Sequence, residues 1–108
     1  MNDLEAYCLG YAYRLVADAL PDNIKRYEPA HCAVKPIKGL LEVQRRFLLQ
    51  QTPDHSIIQF LYGMHRRFQF DTKYNENAML DEKLQWIWLM GYYAMDVDGY
   101  REQLYGTD

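Results

Sequence analysis

Residues 84–95, LQWIWLMGYYAM, constrain this chain more than any other stretch. They hold two tryptophans, two tyrosines and two methionines, with Gln85 as the one strongly polar side chain. On a helical wheel Leu84, Ile87, Trp88, Gly91 and Met95 share one face, while Trp86, Leu89, Met90, Tyr92 and Tyr93 fill much of the rest. A helix apolar all round calls for burial all round. The run is too short for a bilayer, which takes about 20 apolar residues, and Asp96 and Asp98 follow at once. Two readings remain open. Either this is the central helix of a bundle, wrapped by the others, or its Trp86, Tyr92 and Tyr93 face outward to another protein, as residue types enriched at interface hot spots.

The other segments carry helical periodicity as well. Leu4, Cys8, Tyr11, Leu15 and Ala19 form a first stripe, with Asn2 or Asp3 as N-cap and Pro21 as the stop. Residues 21–34, with two prolines and no sustained period, read as a long connection. Pro36 suits a first helical position, and Ile37, Leu40, Leu41, Gln44, Phe47 and Leu48 follow as a second stripe. Thr52 as cap and Pro53 at the first position open a third helix lined by Ile57, Leu61, Met64 and Phe68. QFDTKYNEN reads as a polar turn, a fourth helix is expected over 81–95, and DVDGYREQLY adds a last turn or two. The expectation is an all-α fold, a compact bundle of four to five helices in a single domain over 1–108. Each of the four main helices contains a glycine: Gly10, Gly39, Gly63 and Gly91. Each costs about 0.8–1 kcal/mol relative to alanine, which is easiest to offset where backbones approach closely.

Composition, 49% hydrophobic and 25% charged, is that of a globular protein. Without a basic start before an apolar stretch, the N-terminus does not read as a signal peptide, so a cytoplasmic protein with reduced Cys8 and Cys32 is expected. The net charge of −3 is unevenly spread. Residues 25–73 carry nine basic side chains against Glu28, Glu42, Asp54 and Asp71, whereas both flanks are acidic. Lys38, Arg45 and Arg46 share an outer face of the second helix, and Arg66 and Arg67 close the third. Side by side, those helices would present one patch able to neutralise phosphates independently of base sequence. The alternative is a solvated face with Glu42 paired to Lys38 and Arg46, worth about 0.3–0.5 kcal/mol per pair.

Catalytic signals are scarce. His31 beside Cys32 has no second pair of ligands at metal-binding spacing, so no metal is expected. The glycine of DVDGYREQLYGTD falls fourth from Asp96, and a calcium loop needs it sixth, with a glutamate at the twelfth position. No phosphate-binding glycine loop or nucleophile elbow is present. No catalytic residues, no cofactor and no small-molecule substrate are expected; a small enzyme built on His31, Cys32 and His65 is the reading set aside.

Three segments, in order, resemble the helical C-terminal region of the large subunit of type I-C CRISPR effector (Cascade) complexes, a region that family also makes as a free small subunit. AYCLGYAYRLVADAL resembles the family's first helix through Tyr7, Leu9 and Gly10. NIKRYEPAHCAVKPIKGLLEVQRRFL resembles its second stretch through Arg26, Tyr27, Ala30, Pro36, Leu40 and Leu41. LDEKLQWIWLMGYYAM resembles the closing helix through Gly91, Tyr92 and Tyr93. Where the family continues with His-Gln-Arg, this chain has Ala94, Met95 and Asp96. The resemblance implies a non-catalytic subunit of a ribonucleoprotein complex, stacked on backbone and large subunits and helping to hold opened target DNA. Its positive charge would supply backbone contact, while guide pairing supplies sequence. In that setting Lys38, Arg45, Arg46, Arg66 and Arg67 would lie near DNA or RNA, and Trp86, Tyr92 and Tyr93 at protein neighbours. The competing reading is an acidic helical inhibitor, of phage or mobile-element type, that occupies the surface of a host complex.

Overall fold

Asn2 opens the first helix as a capping box: its side-chain oxygen accepts from the Glu5 amide at 2.8 Å, and its own amide donates to the Glu5 carboxylate at 2.9 Å. In this computed structural model, which describes residues 1–21 and 29–105, that helix is α1, Asp3–Asp18. It is followed by α2 (Pro29–Val34), α3 (Pro36–Leu48), α4 (His55–Phe68), α5 (Phe70–Lys73), α6 (Glu82–Tyr92) and α7 (Tyr100–Tyr105). No strand occurs among the described residues, so the fold is an all-α bundle. Its radius of gyration is 12.9 Å, close to the roughly 13 Å of a compact chain of this length. Arg26 and Tyr27, invoked in the resemblance, lie outside the described residues.

The enclosed helix is α1, not α6. Every residue from Glu5 to Gly10 is buried, as are Ala12, Tyr13, Val16 and Ala17. Ala6, Cys8, Gly10, Ala12 and Ala17 let neighbours close in, while Tyr7, Leu9, Tyr13 and Val16 fill the core around them. In α6, by contrast, only Trp88 and Gly91 are fully buried. Its large rings cannot all fit under so few helices, which corrects the expectation that an all-round apolar helix is covered all round. α6 packs on α1, α2 lies against α6 and α3, and α3, α4 and α7 each pack on α1.

The α1–α6 crossing explains two of the four glycines. A Cβ on Gly10 would sit 1.9 Å from the Trp88 carbonyl oxygen, and one on Gly91 would sit 2.0 Å from the Tyr7 carbonyl oxygen. The contact is reciprocal and backbone on backbone, so nothing flexible can yield. Gly39 differs: its nearest neighbour, the Cys32 Cβ, would be an ordinary 3.7 Å away. Around Gly63 there is nothing within 4 Å. Close packing therefore accounts for Gly10 and Gly91 and not for Gly63.

Several boundaries differ from expectation. Residues 29–34 form α2, too short to display a period; Cys32 and Ala33 on it are buried. α4 is capped by Asp54, not Thr52, because the Asp54 carboxylate accepts from the Ser56 amide and hydroxyl at 2.8 and 2.6 Å. A carboxylate there also faces the positive end of the helix dipole. The polar turn after α4 contains the single-turn α5, anchored by buried Phe70 stacked on Phe68. α6 stops at Tyr92 and does not reach Met95. Ala94 takes a left-handed conformation at φ 53°, its amide donates to the Gly91 carbonyl and the Met95 amide to the Met90 carbonyl, which is a Schellman ending. The Tyr7 hydroxyl then donates to the Met95 carbonyl.

Among the described residues one charge is buried. Glu5, 2% exposed, receives Lys73 Nζ at 2.7 Å and the Tyr74 hydroxyl at 3.0 Å besides the Asn2 amide. Burial alone would raise its pKa; the Asn2, Lys73 and Tyr74 hydrogen bonds outweigh that and hold it below the ordinary 4.5.

Two predictions follow from these contacts. In urea denaturation, Gly10→Ala and Gly91→Ala should each lower stability by about 3 kcal/mol through overpacking. Gly63→Ala should raise it by about 0.8–1 kcal/mol through helix propensity. The Glu5 carboxylate has a lower pKa folded than unfolded, so its contribution is complete above the unfolded value and is lost as pH falls through the folded one. Thermal melts should therefore show the midpoint of the native protein dropping below about pH 4.5, with a smaller drop in Glu5→Gln.

Candidate protein-docking surface

The outer side of α6 is a continuous apolar stripe. Trp86, Leu89, Met90 and Tyr93 recur at the i, i+3, i+4, i+7 spacing that aligns side chains along one helix face. Trp86 and Tyr93 are each 60% exposed, and Leu89 and Met90 between them are half-buried. On one flank Trp86 and Leu89 join Ala30, Ala33, Glu82 and Gln85 around a groove of about 310 Å³ between α2 and α6. Exposed acids stand at both ends: Asp81 and Glu82 at the start, Asp96 and Asp98 beyond the finish.

Behind the stripe lies a stack that fixes it. Trp88 is fully buried, its ring 5.7 Å from Tyr13 and stacked on Tyr92 at 5.5 Å with 16° between planes. The Arg14 guanidinium sits 5.0 Å from the centre of the Tyr92 ring and is held by Asp18 at 2.8 Å. Tyr92 thus belongs to the support, with Tyr93 edge-on to it at 5.0 Å. Of the three aromatic residues expected outside, Trp86 and Tyr93 are exposed, and Tyr92 is half-buried beneath Arg14. Leu89 and Met90 were not singled out as surface residues, although their spacing from Trp86 would have identified them. Met95, placed by the wheel on the face of Leu84, Ile87, Trp88 and Gly91, is half-exposed because the helix has already ended.

The basic side chains fall into two groups. Lys38, Arg45 and Arg46 are exposed on α3, and Lys35, Lys38 and Arg45 run down one side with Glu42 among them. Arg66 and Arg67 are exposed in the last turn of α4, where positive charge complements the helix dipole. α3 and α4 do not lie along one another; each packs on α1, and Gln44 and His65 bridge them at 2.8 Å. Arg67 is turned toward α7, donating to the Gln103 carbonyl with its guanidinium 4.9 Å from the Phe68 ring centre.

Nucleophile chemistry finds little footing among the described residues. Burial pushes the Cys8 and Cys32 thiols up, the opposite of what an active thiolate needs. His65 is pushed down by burial, and His31 is exposed while neighbouring Cys32 is buried. No group of three His, Cys, Asp or Glu among the described residues could hold a metal ion. No helix there is long and apolar enough to cross a membrane. Comparison with protein-family models, curated proteins and solved structures finds no match for this chain.

The two tryptophans give the surface a direct readout. Trp88→Phe leaves Trp86 as the sole indole, and its emission should be red-shifted and quenched by acrylamide. Trp86→Phe leaves Trp88, whose emission should be blue-shifted with a quenching constant roughly threefold or more lower, as burial requires.

Proposed function

We propose that this protein is a non-catalytic subunit that docks onto a larger cytoplasmic assembly through the outer face of α6. The observation that carries the reading is the exposure of Trp86 and Tyr93 at the two ends of one apolar stripe. Tyrosine and tryptophan supply large, stiff contact surfaces and dominate interface energetics. A helix offering anchors at i, i+3, i+4 and i+7 suits a groove on a partner. The underlying Trp88–Tyr92–Arg14 stack holds the face before any partner arrives, so little ordering cost remains at binding.

The resemblance to the helical region of type I-C CRISPR effectors names the assembly to try first. There the chain would act as a small subunit, with Lys38, Arg45, Arg46, Arg66 and Arg67 contributing sequence-independent phosphate contact. A second reading, a protein inhibitor of such a complex, draws on the acids at both ends of the stripe, Asp81 and Glu82 with Asp96 and Asp98, which suit a partner surface that also attracts nucleic acid.

Co-expression with the effector subunits tests both readings. A subunit is recovered in fixed stoichiometry and strengthens retention of target DNA. Trp86→Ala with Tyr93→Ala should reduce recovery roughly tenfold or more, the loss expected of two hot-spot residues. Alanine at the five basic positions should leave recovery intact and lower DNA retention in a salt-dependent way. Recovery accompanied by lost DNA retention identifies the inhibitor. Undiminished recovery of the aromatic double variant overturns the docking face.

A further inference from the structure

Among the four mid-helix glycines, Gly63 is the one with no neighbour at all where a Cβ would stand. It lies mid-helix in α4, and a Cβ there would meet nothing within 4 Å. It borders a cavity of about 300 Å³ between α4 and α7, with Cys8 of α1 also in the lining. That volume is at the lower end for small-molecule sites, which are mostly apolar with a few placed polar groups. The walls fit this description: Phe60, Met64, Phe68, Leu104 and Tyr105 are apolar or aromatic, and Ser56, Gln59 and Arg67 are the polar side chains. Phe60 and Tyr105 hold one another at 5.4 Å between ring centres, and the Tyr105 hydroxyl is hydrogen-bonded to that of Tyr11 at 2.7 Å.

Among the described residues of the lining, Arg67 carries the one formal charge. Its guanidinium is placed by the Gln103 carbonyl and the Phe68 ring, and no carboxylate among the described residues pairs with it. One of its five N–H donors serves Gln103, and a planar fork with donors to spare matches a carboxylate.

We infer that the α4–α7 cavity is a binding site for a small carboxylate bearing one aromatic ring or branched chain. The carboxylate meets Arg67, and the apolar part lies on Phe60, Met64 and Leu104. Gly63 brings no side chain to the wall, where one as long as leucine would enter the space. This site is separate from the α6 stripe and does not depend on the docking reading.

Amide NMR spectra of the whole chain, titrated with phenylacetate, benzoate and 3-methylbutanoate, test the site against phenylacetamide as the uncharged control. Saturable shifts are expected at Cys8, Gly63, Arg67 and Leu104 with at least one acid, with phenylacetamide binding roughly tenfold or more weakly, as loss of a charge-assisted contact requires. Arg67→Gln should abolish the preference for acid over amide, and Gly63→Leu should abolish binding. Should Gly63→Leu not fold, Arg67→Gln decides alone. Absence of saturable shifts with all three acids, equal binding of acid and amide, or an unchanged acid preference in Arg67→Gln overturns the inference.

Discussion

The structure depends on one place where two backbones touch. At the Gly10–Gly91 crossing each helix places a glycine against the other's carbonyl, so α1 and α6 approach more closely than side chains would allow. That proximity is what lets Trp88 sink completely beside Tyr13, and it sets where the outward half of α6 must stand. Helices that meet through small residues gain dispersion contacts and Cα–H···O contacts along the seam. The rest of the bundle is arranged around α1, whose buried side chains range from Ala6 and Cys8 to Tyr7 and Tyr13.

This division of labour turns hydropathy into a misleading guide. The greasiest segment, α6, is the one left half-uncovered, while α1, with the larger share of buried residues, forms the centre. The uncovered half of α6 is still ordered, since Trp88, Tyr92 and Arg14 form a rigid backing for Trp86 and Tyr93. An exposed apolar face on a firm support has the character of a binding surface.

Much of the architecture could be read from the residues alone. The cap at Asn2, the proline opening of α3 and the apolar stripe of α4 were legible because capping and periodicity are local, whereas Leu4, Tyr11, Leu15 and Ala19 of the stripe expected in α1 are only half-buried and Leu48 of that in α3 is exposed. The close approach at Gly10 and Gly91 was legible too, since mid-helix glycines need a reason, but sequence could not separate them from Gly63, whose surroundings are open. α2 escaped notice because six residues are too few to show a period. The end of α6 was misplaced because Ala94, a good helix former, adopts a left-handed turn that tertiary contacts impose. At the surface, Trp86 and Tyr93 were found by residue type, whereas Tyr92 was misjudged: only the fold puts Arg14 above it. The basic residues were identifiable singly, but their grouping was not, because it depends on α3 and α4 each turning to α1.

The buried Glu5 has a consequence for how α1 sits. A slip of one turn would break the contacts of Tyr7 with Met95, of Tyr11 with Tyr105 and of Tyr13 with Trp88. Such a slip would carry the Glu5 carboxylate away from Lys73 and Tyr74 and leave an enclosed negative charge without donors, at a cost of several kcal/mol. It would also replace Gly10 under the Trp88 carbonyl with a residue that has a side chain. One ion and one absent methyl, five positions apart, therefore index α1 together with its three tyrosines.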